Sequence, residues 1–117
     1  MAIQQEIGEK GEFLAAQYLQ KIGFLIITKN YRAGKSEIDL VCKDQETLVF
    51  VEVKTRTNRS FGNPESFVNE AKAAKVIEGA ETYIIENNWK GAVRFDIVSV
   101  LIMNGETEIE HFIDAFY

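Results

Sequence analysis

Cysteine, proline, histidine and tryptophan occur once each among the 117 residues. A lone Cys42 rules out an internal disulfide, and a lone His111 is too little for a metal centre built on histidine. Strand alternation would set Cys42 with Leu40 and Ile38, so a buried, inert thiol is expected. Long apolar runs are missing as well. The longest, around Ile97 to Met103, is interrupted by Ser99 and falls far short of a bilayer span. The opening Met1 to Glu6 has neither a basic start nor an apolar stretch, which leads to the expectation of a cytoplasmic protein. Positive charge is in deficit: 13 Lys and Arg stand against 18 Asp and Glu, a net charge of -5. That balance excludes a general nucleic-acid coat protein, whose binding needs many cations to displace counterions, but it leaves room for a local basic face.

What is present is enough for a core. With 46% hydrophobic and 26% charged residues, the chain reads as one domain over 1–117 without any mark of disorder. From Gln4 to Lys21, Ile7, Leu14, Tyr18 and Leu19 fit a helical stripe, and Gly23 supplies a stop. Gly8 and Gly11 inside that helix cost about 1 kcal/mol each relative to alanine, which suggests a close backbone approach. Phe24 to Thr28 reads as a buried strand leading through Asn30-Tyr31-Arg32 into a hairpin. Asn63-Pro64-Glu65 has the N-cap, first-turn proline and acid of a helix start, and the helix runs to about Glu86. Two strands joined by Asn104-Gly105, a type I′ turn pair, then lead to a short tail from Ile113 to Tyr117. The fold class is therefore α/β, a mixed sheet flanked by helices in the order α-β-β-β-α-β-β.

The hairpin carries the chemistry. Ser36-Glu37-Ile38-Asp39-Leu40 precedes Val51-Glu52-Val53-Lys54, and alternation sends Phe50, Glu52, Lys54 and Arg56 to one face of the second strand. A tight turn centred on Asp44-Gln45 would pair Asp39 with Phe50 and Glu37 with Glu52, leaving Asp39 diagonal to Glu52. Diagonal neighbours lie roughly 7 to 8 Å apart, a gap that a divalent ion with bonds of about 2.1 Å to carboxylate oxygens bridges. Two carboxylates and a lysine in this spacing suit metal-dependent phosphodiester cleavage, in which Mg²⁺ or Mn²⁺ offsets the charge gained by phosphate and a lysine orients water or neutralises the transition state. Glu-x-Lys alone is more often an exposed ion pair; the aspartate on the neighbouring apolar strand raises the odds.

Basic residues cluster around the motif. Of these, Arg32 and Arg56 are candidates for contact with nucleic acid, whereas Lys29, Lys35 and Arg59 read as solvated strand ends. Lys72 interrupts the stripe Val68, Val76, Ala80, Ile84, where a snorkelling side chain is the plainer reading. Arg94 and Asp96 share a face and suit a structural ion pair as well as a site role. Trp89 reads as a loop anchor more readily than as a base-stacking platform.

Seven ordered segments carry a wider match: Gly8-x-x-Gly11-Glu12, Asn30-Tyr31-Arg32, Glu37-Ile38-Asp39-Leu40, Phe50-Val51-Glu52-Val53-Lys54, Phe61-Gly62, Val68-x-x-x-Lys72 and Arg94-Phe95-Asp96. Over nearly the whole chain they resemble the YraN family of bacterial proteins, predicted nucleases of the restriction-endonuclease-like PD-(D/E)xK superfamily. The resemblance implies that Asp39, Glu52 and Lys54 are the catalytic triplet and that the Val53 carbonyl is a further metal ligand. It implies that Glu12 is similar to the additional helix-one acid of Holliday-junction resolvases, and it moves Lys72 toward a phosphate contact. The family has glycine just before Glu-Ile-Asp where this chain has Ser36, with Gly34 available to carry the turn.

The expectation is a Mg²⁺- or Mn²⁺-dependent endonuclease acting on DNA, branched or damaged DNA included. The alternative is a module that binds nucleic acid or a protein partner and keeps the nuclease fold without turnover. Paired cuts would call for a homodimer about a two-fold axis.

Overall fold

A computed structural model describes residues 2–58 and 70–116. The elements run α1 Ala2–Lys21, β1 Leu25–Ala33, β2 Ser36–Asp44, β3 Thr47–Arg56, α2 Glu70–Glu86, β4 Ala92–Met103 and β5 Glu106–Phe112, in the expected order. One five-stranded sheet has the order β1-β2-β3-β4-β5. All neighbours are antiparallel except β3 and β4, which are parallel and joined through α2. The helix start at Asn63-Pro64-Glu65, the residues Phe61-Gly62 and Val68, and Arg59 lie outside the described residues. Among the described residues, no helix is long and apolar enough to cross a membrane.

Each face of the sheet has its own apolar layer. Ala15, Ala16 and Leu19 of α1 pack on Leu40, Cys42, Val49, Val51, Val53, Val98 and Val100, while Val76, Ala80 and Tyr83 of α2 pack on Ile38, Val41, Leu48, Phe50 and Phe95. A central strand covered on both sides reads as a continuous apolar run, and β3 does so from Leu48 to Val51. Cys42 is fully buried, and burial together with the nearby Asp96 charge pushes its thiol up to about 12. β1 departs from expectation. It is an edge strand nine residues long that absorbs Asn30-Tyr31-Arg32, and Leu25 and Ile27 stay largely exposed rather than buried. At the opposite edge, β5 carries Glu106, Glu108 and Glu110, charges that discourage pairing with another strand.

Turn chemistry sets the register. α1 ends at Gly23, φ +102°, where the Phe24 N–H donates to the Leu19 carbonyl at 2.9 Å, closing a Schellman cap. Asn104 and Gly105 both take positive φ, as a type I′ turn requires. Between β2 and β3, however, the turn falls on Gln45-Glu46, with Gln45 at φ +55°, and Asp44 pairs with Thr47. The partners are therefore Val41 with Phe50 and Leu40 with Val51, two residues away from the expected register. Asp44 is held in the strand because Arg94 Nη1 donates to its Oδ2 at 3.1 Å, so it is not free to enter the turn.

Arg94 also grips Asp96, through Nε and Nη2 at 2.9 Å each. His111 Nε2 lies 2.7 Å from Asp96 Oδ2, the oxygen that Arg94 Nη2 also takes, and the Asp114 N–H donates to Oδ1 at 3.0 Å. Arg94, Asp96 and His111 are thus a buried structural network. Trp89 anchors its loop by donating to the Ala92 carbonyl at 3.0 Å.

Two predictions follow from these packings. Burial alone would push the Asp96 carboxyl up, but hydrogen bonds from His111, Arg94 and the Asp114 N–H outweigh it and hold the pKa below the usual range. Its contribution to stability is present above the unfolded carboxylate pKa of about 3.9 and lost as pH falls through the lower folded value. Asp96→Asn should cost about 3 kcal/mol near neutral pH and flatten the acid limb of a urea-midpoint profile; parallel profiles for both proteins would contradict this account. Gly11 is the second case. A Cβ there would lie inside the Thr55 side chain, so Gly11→Ala should lower stability by about 1 to 3 kcal/mol in chemical unfolding. Gly8, by contrast, faces open space, and Gly8→Ala should not destabilise.

Candidate active site

β2 and β3 are paired only as far as Leu40 and Val51. Beyond that point β2 continues beside β1 to Ser36, and β3 continues beside β4 to Arg56, so the two strands part and open a cleft. Val53, the next residue of β3 due a partner on β2, finds a side chain instead: its N–H donates to Asp39 Oδ2 at 2.8 Å. A residue in an extended strand sends its N–H and C=O to the same side, so the Val53 carbonyl faces this cleft too.

The parting is prepared in the backbone. Leu40 and Cys42 pack toward α1, but Ile38 packs toward α2, so alternation breaks at Asp39 instead of placing all three together. Across the β1–β2 ladder, Lys29 pairs with Leu40 and Tyr31 with Ile38, which leaves Asn30 opposite Asp39. Asn30 takes φ +53°, a left-handed conformation that asparagine tolerates better than most residues and that turns β1 over at the same level. Its side chain also hydrogen-bonds Glu12. Asn30 is the residue that sequence reasoning passed over as a site member. The available signal was an asparagine in an otherwise strand-forming run. Gly34 carries the β1–β2 turn at φ +60°, so Ser36 needs no special conformation; it is buried, and Gly79 of α2 leaves space for it.

Around the fork the expected residues gather. Glu52 shares the α2 side with Phe50 and is almost wholly buried, its side chain 4% exposed. Lys54 Nζ, from the same strand face, is 3.8 Å from Glu52 Oε2, and Lys72 Nζ, from the first described turn of α2, is 2.8 Å from the same oxygen. Lys72 therefore reaches inward to a carboxylate rather than snorkelling to solvent. Glu12 enters from α1 because Gly11 lets that helix lie against Thr55. Arg32 lies at the rim, 3.6 Å from Glu37 and mostly exposed, so Glu37 faces Arg32 and not Glu52. Arg56, half-buried at the end of β3, falls two residues beyond Lys54 on the strand.

The electrostatics are those of crowded acids. Burial, then the Glu52 charge, raises the Asp39 pKa to about 7; the Val53 N–H and Lys72 pull it down, and Glu12 adds to the rise. Glu12 is raised by burial and by Glu37, Glu52 and Glu9, with the Asn30 hydrogen bond acting against them. Burial disfavours the Lys72 ammonium, but Glu52, Asp39 and Glu37 outweigh it and raise its pKa. Among the described residues, no three His, Cys, Asp or Glu side chains converge as a metal cage. The oxygen donors Asp39, Glu52 and the Val53 carbonyl nevertheless fit a hard divalent ion that keeps several waters, and the Lys72 ammonium already marks a cation position at Glu52.

The crowding has a measurable sign. Asp39's folded pKa lies above its unfolded one, so its contribution to stability is complete below about pH 3.9 and is lost as pH rises through about 7. Asp39→Asn, measured in EDTA, should therefore be more stable than the parent by on the order of 2 kcal/mol at about pH 8, with the advantage fading in acid. A variant that is less stable across the whole range would show that the carboxylates do not repel.

Comparison with known proteins shows the family to which the chain belongs. The profile of the family described as "Uncharacterised protein family UPF0102" matches residues 11–100. A UPF0102 protein of Flavobacterium psychrophilum is 41% identical over 117 residues, covering 100% of this chain and 98% of its own length. One from Anaeromyxobacter dehalogenans is 42% identical over 97% of this chain and 85% of its own. One from Bacteroides thetaiotaomicron is 40% identical over 100% and 97% respectively. With the fork residues Glu12, Asp39, Glu52, Lys54 and Lys72 all inside the matched span, the chain belongs to the UPF0102 family, also known as the YraN family.

Proposed function

We propose that this protein is a metal-dependent endonuclease that hydrolyses phosphodiester bonds in DNA. The observation that carries the reading is the fork itself: two carboxylates on parting strands, with a lysine two residues along from one of them. Asp39, Glu52 and the Val53 carbonyl would hold Mg²⁺ or Mn²⁺. When bound, such an ion supplies positive charge where phosphate gains negative charge and acidifies water.

The chain's own residues do the remainder. The Val53 N–H fixes the Asp39 carboxylate, so its free oxygen is presented without rotamer search. Lys54, only partly exposed and 3.8 Å from Glu52, would hold the attacking water or neutralise the phosphorane-like charge. Glu12, its pKa raised, is suited to exchange a proton with that water. Arg32 and Arg56 border the cleft and suit the backbone of a nucleic-acid strand, as Lys72 would once free of Glu52. Branched or damaged DNA fits an open cleft better than a tight pocket would, and a two-fold pair of protomers would deliver paired cuts.

The test is cleavage of labelled single-stranded, duplex, flap and four-way DNA with Mn²⁺, Mg²⁺ or EDTA. Cleavage should require metal, fall about 100- to 1,000-fold in Lys54→Ala, and vanish in Asp39→Asn. If neither protein cuts any substrate, and both still shift DNA in EDTA, the fold serves as a binding module instead.

A further inference from the structure

Lys72 comes to a carboxylate of the fork from a different layer of the molecule, helix α2. Its helix buries Ala73, Val76 and Ala80 against the sheet, and Lys72 stands one turn before Val76, where an apolar side chain would fit. Instead its ammonium takes Glu52 Oε2 at 2.8 Å, hydrogen-bonding distance, whereas Lys54 stops at 3.8 Å from the same oxygen. A carboxylate only 4% exposed needs a compensating charge, and between Lys54 and Lys72, Lys72 supplies the direct contact.

A divalent ion held by Asp39 and Glu52 would draw on the same Glu52 oxygens. An ammonium and a doubly charged ion within a few ångströms of each other repel strongly in a partly desolvated cleft, and one lone pair cannot serve both. The Lys72 side chain is 42% exposed and sits on a flexible four-carbon stem that can swing toward solvent. We propose that Lys72 is a built-in counter-cation for Glu52 which a divalent ion must displace, so that this lysine weakens metal binding in the empty site and turns toward the substrate strand only when the ion is in place. The inference rests on the metal-dependent reading of the site.

The experiment is calorimetric titration of Mn²⁺ into the full chain without nucleic acid, for the parent, Lys72→Met, Lys72→Arg and Asp39→Asn, with a thermal unfolding curve of each. Lys72→Met should bind Mn²⁺ roughly tenfold more tightly than the parent, the worth of one charge-assisted contact. Lys72→Arg should keep the parent's affinity, and Asp39→Asn should lose binding. Without metal, Lys72→Met should melt earlier than the parent, and Mn²⁺ should raise its midpoint by more. Should the methionine variant unfold, Lys72→Gln carries the same comparison with a gain of the same sign. Equal or weaker Mn²⁺ binding in Lys72→Met and Lys72→Gln, with Asp39→Asn still losing it, overturns the role of Lys72 and leaves the metal site standing. Absence of Mn²⁺ binding in the parent and the Lys72 variants alike overturns the metal site, and the counter-cation with it.

Discussion

Everything at the cleft depends on one hydrogen bond, from the Val53 N–H to the Asp39 carboxylate. A sheet normally satisfies its backbone groups strand against strand, and a buried N–H left over costs about as much as a lost hydrogen bond. By letting a side chain stand in for a strand, the protein can split β2 from β3 without leaving Val53 unsatisfied. The same substitution fixes the position of an acid whose charge burial and Glu52 disfavour, and offsets part of that effect. One carboxylate oxygen, Oδ2, thus closes the sheet where a strand would otherwise stand.

The arrangement also explains the opposed tendencies of the layers. α1 brings an acid, Glu12, to the fork, and α2 brings a base, Lys72. Each helix otherwise presents small or apolar residues to the sheet, so these polar side chains are exceptions made at the level of the fork. Gly11 is part of the same design, since Thr55 occupies the volume that a side chain there would need. Local consistency is relaxed where the site is built and restored a turn away, as is common for functional sites.

Element order, the two faces of β3 and the identity of the acids were legible from period and punctuation: Gly23, Asn104-Gly105 and the run from Leu48 to Val51 have few readings. The register of the hairpin was not. Asp44 looks like a turn residue, yet it pairs with Thr47 in the strand and takes Arg94, fifty positions away in sequence. Nor was the break at Asp39 visible, because an alternation pattern encodes neither a change of face nor the left-handed Asn30 opposite it. Lys72 was noticed as an anomaly, but its partner was not, since helix periodicity says which way a residue points and not what meets it.

The Arg94–Asp44 contact has a reach beyond its own surroundings. Held at one end by this guanidinium, the β2–β3 ladder acts as a ruler that counts from Asp44 to Asp39 and from Thr47 to Val53. A slip of a single residue would turn Asp39 to the wrong face. A slip by two would restore the face yet carry the carboxylate roughly 7 Å from the N–H it serves. Alignment of the cleft is thus decided at the far end of the hairpin, by a residue that never touches it, and disruption there would dismantle the site while its acids and lysines remained in the chain.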